Sequence, residues 1–245
     1  MILGSFKHEG FVPRGSAMTA ITQRRQANGL EPRRPDSLNL LEQFGTTVRV
    51  ARDDEIHPEG EASQYTYRVV SGCVRSARLT EDGRRQVGEF YLPGDMVGLD
   101  DLECRDFAIE AVTDAELRRY PRRMMEALAD SHSALSRRLR DVAFSRLRAA
   151  HGRMMLLGRG SAPERVAFFL LEMESRLGHR GPEMMELPMG RADMADHLGL
   201  TVETICRVLT GMKRDGKVRI GRSGITLRDH AALEHIAGAV LPVAA

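Results

Sequence analysis

Between Pro121 and Gly158 the chain has no proline, and apolar residues return at helical spacing: Leu128, Leu135, Leu139, Val142, Ala143, Leu147, Ala150 and Met154. A helix of that length needs an apolar surface along its face to be stable. The positions 128, 135, 142 and 149, with 139 between them, predict a few heptads of coiled-coil contact with a second chain. Leu128, Leu135, Leu139, Val142 and Leu147 are therefore the expected dimerisation residues; the alternative is that the stripe packs only on its own barrel. Gly152 is expected to end or loosen the helix. Arg137, Arg138, Arg140, Arg146 and Arg148 read as a solvated face, with contact to the barrel or to distant phosphates as the second option.

This helix divides the 245 residues into two modest domains, each long enough to bury a core. Before it, from Val48 to Arg119, the hydrophobic period is two and turn residues come at short intervals. Strands are expected at Tyr65–Val70, Cys73–Leu79, Arg85–Phe90, Phe107–Ala111 and Glu116–Tyr120, with turns at Ser71-Gly72 and Glu81-Asp-Gly83. Many short strands with tight turns imply an all-β barrel or sandwich, packed with its own side chains. Arg75, Arg78, Arg84 and Arg85 can meet an anion, but Glu81, Asp82 and Glu89 stand near enough in sequence to pair with them.

The net charge of +2 hides an uneven distribution. Residues 1–117 carry 14 Lys/Arg against 20 Asp/Glu, residues 118–150 nine against three, and residues 201–228 seven against two. The positive field sits where a phosphate backbone can use it. Cys73, Cys104 and Cys206 have neither the pairing of a disulfide framework nor the spacing of a zinc site, and no apolar run is long enough for a membrane span. A soluble, cytoplasmic protein is expected. Residues 1–37 are polar and rich in Arg, Gly and Pro and read as a flexible arm; Phe11-Val-Pro-Arg-Gly-Ser16 is similar to a protease site of expression tags and is given no functional weight.

After the long helix, Ser161-Ala-Pro163 with Glu164 is a helix start. Val166, Phe169, Leu170, Met173 and Leu177 form its core stripe, and Gly178 ends it. A polar break at 178–183 leads to a short edge strand at Met184–Leu187. Residues 191–198 form the first helix of a pair, Gly199 turns the chain, and Thr201 caps the second. In that second helix Val202, Ile205, Leu209 and Met212 share one face, which must be core. Glu203, Arg207, Thr210 and Arg214 share the opposite face, with Cys206 one turn from both Glu203 and Thr210. The first turns of a helix in a major groove reach base edges while later ones meet backbone. Arg207 suits guanine O6/N7, and Glu203 suits a cytosine amino group. Thr201, Thr204, Lys213, Arg214 and Lys217 are placed for phosphates. Val218–Ile220, a turn at 221–224 and Ile225–Leu227 make a wing, whose Arg219 or Arg222 would touch neighbouring backbone. A helical domain that binds protein through the same surface is the bland alternative.

This order of elements resembles the family of bacterial regulators typified by the catabolite activator protein and the fumarate–nitrate reduction regulator. The resemblance covers residues 40–230. Phe90-Tyr-Leu-Pro-Gly-Asp-Met-Val-Gly98 is similar to the family's barrel motif, and Leu200-Thr-Val-Glu-Thr-Ile-Cys-Arg207 to its recognition-helix signature. The resemblance implies an α+β fold: a cyclic-nucleotide-binding-like β jelly-roll barrel (38–121), a long dimerisation helix (122–157), a winged helix-turn-helix (158–235) and a tail (236–245). It also implies a homodimer that binds a palindrome similar to TTGA-N6-TCAA in double-stranded DNA, and activates microoxic, anaerobic and nitrogen-fixation genes through contact with RNA polymerase. The family's base-reading Glu, Ser and Arg fall on Glu203, Cys206 and Arg207.

Departures from the family pattern narrow this. The Gly-Glu and Arg-Ser pairs that hold cyclic AMP are replaced by Asp101-Leu-Glu-Cys-Arg-Asp-Phe107, so a cyclic nucleotide is not expected. No cysteine precedes Cys73, so an iron–sulfur cluster is not expected, nor is haem; no cofactor is implied. An effector-independent regulator follows, against the alternative of a barrel that binds some other small effector. Cys206 puts a thiol where the family has a hydroxyl. Its oxidation would set an anion against phosphate and base edges, which makes redox sensitivity the sharper reading and a serine stand-in the blander one. Glu203, His197 and Asp193 lie on different faces of two helices and make no enzyme site.

Overall fold

The computed structural model describes residues 38–99, 104–178, 184–221 and 224–238. The 1–37 arm, Asp101-Leu-Glu103, the 179–183 part of the polar break, Arg222 and the end of the tail lie outside them.

The alternating segments form two antiparallel four-stranded sheets. One runs β1 (Thr46–Val50), β8 (Ala115–Pro121), β3 (Tyr65–Ser71), β6 (Met96–Val97); the other runs β2 (Glu55–His57), β7 (Ala108–Ala111), β4 (Val74–Leu79), β5 (Arg85–Tyr91). Alternation places Tyr67, Val69, Val74, Tyr91, Val97, Ile109, Ala115 and Leu117 together between the sheets. On the back of β3 and β8, Tyr120 joins a second cluster with Leu38, Leu41, Met96, Met125 and Leu135. It seats α1 (Asn39–Glu42) and α2 (Arg122–Ser131) on the barrel.

The expected single helix over 122–157 is two. His132 is extended (φ −127°, ψ 93°) and separates α2 from α3 (Ser133–Arg159). Beside it Ser131 Oγ donates to the carbonyls of Ala127 at 3.0 Å and Leu128 at 3.2 Å, the kind of local side-chain bond that competes with helix continuation. The break turns Leu128, Leu135 and Leu139 inward against Leu41, Met96 and Tyr120. Leu135 is fully buried within its own chain and cannot be a seam residue. Gly152 does not end the helix. Nothing lies within 4 Å of a Cβ built there, and α3 carries the glycine through to Arg159, at a cost of about 1 kcal/mol.

Beyond the Gly160 linker, α4 (Ala162–Leu177) starts with a capping box in which Ser161 N–H donates to Glu164 Oε2 at 2.6 Å, and it ends at left-handed Gly178. α5 (Arg191–Leu198), α6 (Val202–Arg214) and a three-stranded sheet in the order β10 (Val218–Ile220), β11 (Gly224–Leu227), β9 (Met185–Glu186) follow. A last helix not anticipated from sequence, α7 (His230–Gly238), packs on α4, where His230 Nε2 lies 2.6 Å from Glu174 Oε1.

The two domains do not keep separate cores. Val87, Phe90, Leu92 and Cys73 of the barrel belong to one cluster with Phe169 and Leu170 of α4, Leu198 of α5 and Ile205 of α6. His197 of α5 is at its centre, its ring 5.1 Å from that of Phe90 and 5.7 Å from that of Phe169, with Nδ1 3.2 Å from the Val87 carbonyl. Arg75 pairs within the barrel with Glu110 at 2.7 Å, but it and Arg85 also reach across to α5. Asp193 Oδ1 accepts from Arg75 at 2.9 Å and from Arg85 at 2.6 Å, and Asp196 accepts from Arg85 at 2.7 Å. Arg176 of α4 donates to the Phe90 carbonyl at 2.6 Å and to Asp95 at 2.8 Å.

Burial, with the Arg153 guanidinium nearby, pushes the His197 imidazole down to about 4. The unfolded chain therefore takes up a proton below the ordinary histidine range that the folded chain refuses. Stability is full above about 6.5 and is lost as pH falls toward 4, by about 3 kcal/mol at most. The denaturation midpoint should fall more between pH 7 and pH 5 for the wild type than for His197→Phe; equal falls would contradict this assignment.

Candidate nucleic-acid interface

α5 ends at Leu198, and Gly199 follows in the left-handed region (φ 60°, ψ 43°), where the N–H groups of Gly199 and Leu200 return to the Ala195 carbonyl. Glycine takes this conformation without a Cβ penalty, so the chain reverses within the turn. Thr201 then caps α6: its Oγ1 accepts the Thr204 N–H at 3.2 Å and donates to Thr204 Oγ1 at 3.1 Å.

Ile205, Leu209 and Met212 are buried against α4 and α5. Val202, expected with them, is 40% exposed, because the first turn of α6 projects beyond the elements that cover the rest. On the other side Thr201, Glu203, Cys206, Arg207, Thr210, Lys213 and Arg214 are exposed, and Thr204 is half-buried. The Glu203 carboxyl is held below its ordinary range by its own backbone N–H at the helix start and by the Thr201 hydroxyl, so it is ionised. Arg207 Nη2 donates to Thr204 Oγ1 at 3.4 Å, which leans the guanidinium toward the N-terminal end of the helix.

The phosphate candidates differ among themselves. Lys213 stands in solvent, while Arg214 and Lys217 both pair with Asp215, at 3.4 and 2.8 Å. On the wing, exposed Arg219 donates to Thr226 Oγ1 at 3.4 Å. Arg191, the first residue of α5, was not singled out from sequence. Burial lowers its guanidinium from the ordinary value and Cys206 acts on it in the opposite sense, which places the two side chains within electrostatic reach. Of the other cysteines, Cys104 is exposed, whereas burial pushes the Cys73 thiol up to about 12. Glu203, His197 and Asp193 remain apart: one lies in solvent and two in the interdomain core. Among the described residues no group of three His, Cys, Asp or Glu side chains is placed to hold a metal ion, and no helix is long and apolar enough to cross a membrane.

Two family models match in the order in which the domains occur: a cyclic nucleotide-binding domain over residues 47–132 and a Crp-like helix-turn-helix domain over 164–236. The chain is 39% identical over 197 residues to the nitrogen fixation regulation protein FixK of Azorhizobium caulinodans, covering 79% of each. This chain belongs to the Crp/Fnr family of transcription regulators. Another relative is the transcriptional activator FnrL of Cereibacter sphaeroides, 32% identical over 73% of this chain and 75% of that protein. Among solved structures, FixK2 from Bradyrhizobium japonicum superposes with a TM-score of 0.75 at 40% identity, covering 82% of this chain and 99% of that one. As in other Crp/Fnr regulators, the function is DNA binding through the helix-turn-helix, and the family is not enzymatic.

Because the Thr201 hydroxyl is the side-chain cap of α6, Thr201→Ala should cost about 1 kcal/mol. Denaturant unfolding measures that loss, and faster hydrogen exchange at the Thr204 amide would localise it.

Proposed function

We propose that this chain is a cytoplasmic homodimeric activator that reads a palindrome similar to TTGA-N6-TCAA and activates genes of microoxic or anaerobic respiration and of nitrogen fixation through contact with RNA polymerase. The observation that carries the reading is the exposed face of α6, where Glu203, Cys206 and Arg207 stand in the order of the family's base-reading residues. The FixK relatives, nitrogen fixation regulation proteins that match over most of both chains, suggest the class of gene.

Homodimerisation is supported by α3. Ala143, Leu147, Ala150, Met154 and Leu157 are all exposed and recur at spacings of 4, 3, 4 and 3, the pattern of a coiled-coil seam. Of the five expected dimerisation residues only Leu147 is on this stripe; Val142 is half-buried beside it. A seam in the second half of α3 leaves the first half for the barrel.

A cavity of about 620 Å³ lies between the barrel and the same stripe of α3. Gly98, Leu99, Phe107 and Ile109 form part of its barrel wall. Ser76, Arg105, Arg146 and Arg153 add polar groups to the lining, and Glu89, its carboxylate, faces Arg153 at 3.5 Å. The replacement of the family's Gly-Glu and Arg-Ser pairs by the segment 101–107 is what supports effector-independent binding. The cavity itself is the reason to keep a second reading, a regulator gated by another small effector. Full affinity of ligand-free protein for the palindrome, unchanged by cyclic AMP, is expected and would exclude that second reading.

At Cys206, peroxide oxidation to sulfinic or sulfonic acid would place an anion beside Glu203 and against phosphate, so binding is lost. Selection of bound DNA from a random pool, with and without peroxide, tests sequence and redox response together. Cys206→Ser should bind and resist peroxide; equal loss in both proteins would leave the thiol as a serine substitute. Arg207→Ala should cost about 1–3 kcal/mol on the preferred site and relax preference at one base pair per half-site, while Lys213→Ala should weaken all sequences alike and reduce the salt slope by about 1.

A further inference from the structure

A single guanidinium joins the seam helix to the turn of the DNA-reading pair. Arg165, in the first turn of α4, donates from Nη2 to the Leu157 carbonyl at the end of α3 at 2.8 Å and from Nε to the Gly160 carbonyl in the linker at 2.9 Å. From Nη1 it donates to the carbonyls of Leu198 at 2.9 Å and Gly199 at 3.4 Å, at the end of α5. The cation thus closes the C-terminal ends of two helices, where last-turn carbonyls lack intrahelical partners and the dipoles favour positive charge. The planar fork reaches three segments at once, which a lysine ammonium cannot do.

Gly160 and Gly199 both border this contact. A Cβ added at Gly160 would lie 2.6 Å from the Leu156 carbonyl and 3.4 Å from Arg165 Cγ, and one at Gly199 would lie 3.4 Å from Arg165 Nη1 and 3.6 Å from Leu157 Cδ2. Leu157 is itself the last residue of the exposed stripe on α3, and Thr201, the cap of the reading helix, is two residues beyond Gly199. Along the backbone, the path from the stripe to α6 runs through all of α4, β9 and α5. Through Arg165 it is one side chain long.

In a dimer that reads a palindrome, the half-site spacing is set by the distance and angle between the two recognition helices. We propose that Arg165 is a positioning residue that fixes α6 relative to the dimer seam and thereby sets the spacing between half-sites. The proposal rests on the homodimer and palindrome reading above. Arg165 touches no base and no phosphate in this role; it acts through the α5–α6 turn.

The test uses the full chain with duplexes carrying the two half-sites at six base pairs and at one more or one fewer, together with a duplex carrying one half-site. Wild type should prefer the six-pair spacer by about tenfold, equivalent to about 1.4 kcal/mol. Arg165→Gln should flatten this preference to under about threefold while single half-site binding changes by less than about twofold, since the reading face is untouched. Arg165→Lys, which keeps the charge but loses the planar fork that reaches three segments, should flatten the preference as well, so the assignment does not depend on one variant staying folded. If both variants keep the wild-type spacer ratio, Arg165 does not set the spacing. If wild type is indifferent to the spacer, the palindrome reading fails and the role of Arg165 fails with it.

Discussion

The docking of α5 onto strand β5 is the contact on which the rest of the molecule depends. Phe90 and Phe169 hold the His197 ring between barrel and helix-turn-helix, and beside them Asp193 accepts from Arg75 and Arg85 at once. Arg75 and Asp193 are both buried. Breaking such a pair is costly mainly because it leaves a charge in a poor solvent. The two sides of the interface therefore hold or separate together, and a helix-turn-helix that would otherwise swing on the Gly160 linker is kept in one orientation. The carboxylates that do this come from the first helix of the pair, which leaves the polar face of α6 in solvent.

Rigid placement has consequences along the chain. α3 serves the barrel with Leu135 and Leu139, and presents Ala143, Leu147, Ala150, Met154 and Leu157 outward in its second half. One helix thus has two apolar faces at different heights, and the break at His132 lets its first turns fold back on the barrel. At its far end Arg165 gathers carbonyls from α3, the linker and α5. The positively charged surface identified by counting residues 201–228 comes out as an exposed arc on α6 and the wing, although Asp215 draws Arg214 and Lys217 partly to itself.

Much of this was legible in one dimension, and what was not has a common cause. The strands at 65–71, 74–79 and 85–91 and the helices at 162–177, 191–198 and 202–214 follow from local periods, caps and glycine turns, because those signals act within a few residues. The proposed reading residues were visible as a set because they share one exposed side of a helix whose other side is apolar. Val202 misled because apolarity reports the wish to be buried, while burial depends on a neighbour that the first turn of α6 does not have. Leu128 and Leu135 misled because a stripe at heptad spacing does not say which surface covers it.

The sequence by itself determined the two domain types, the turn at Gly199, the cap at Thr201 and the shared exposed face of Glu203, Cys206 and Arg207, because each is specified by side chains close together along the chain. Only the tertiary structure decided that Arg75 and Arg85 face Asp193 rather than the acids of their own hairpin, that His197 is a core residue, and that Arg165 spans three segments. Those partners are far apart along the chain and come together through packing. Charge pairing in a folded protein is set by distance in space, which no spacing in sequence encodes.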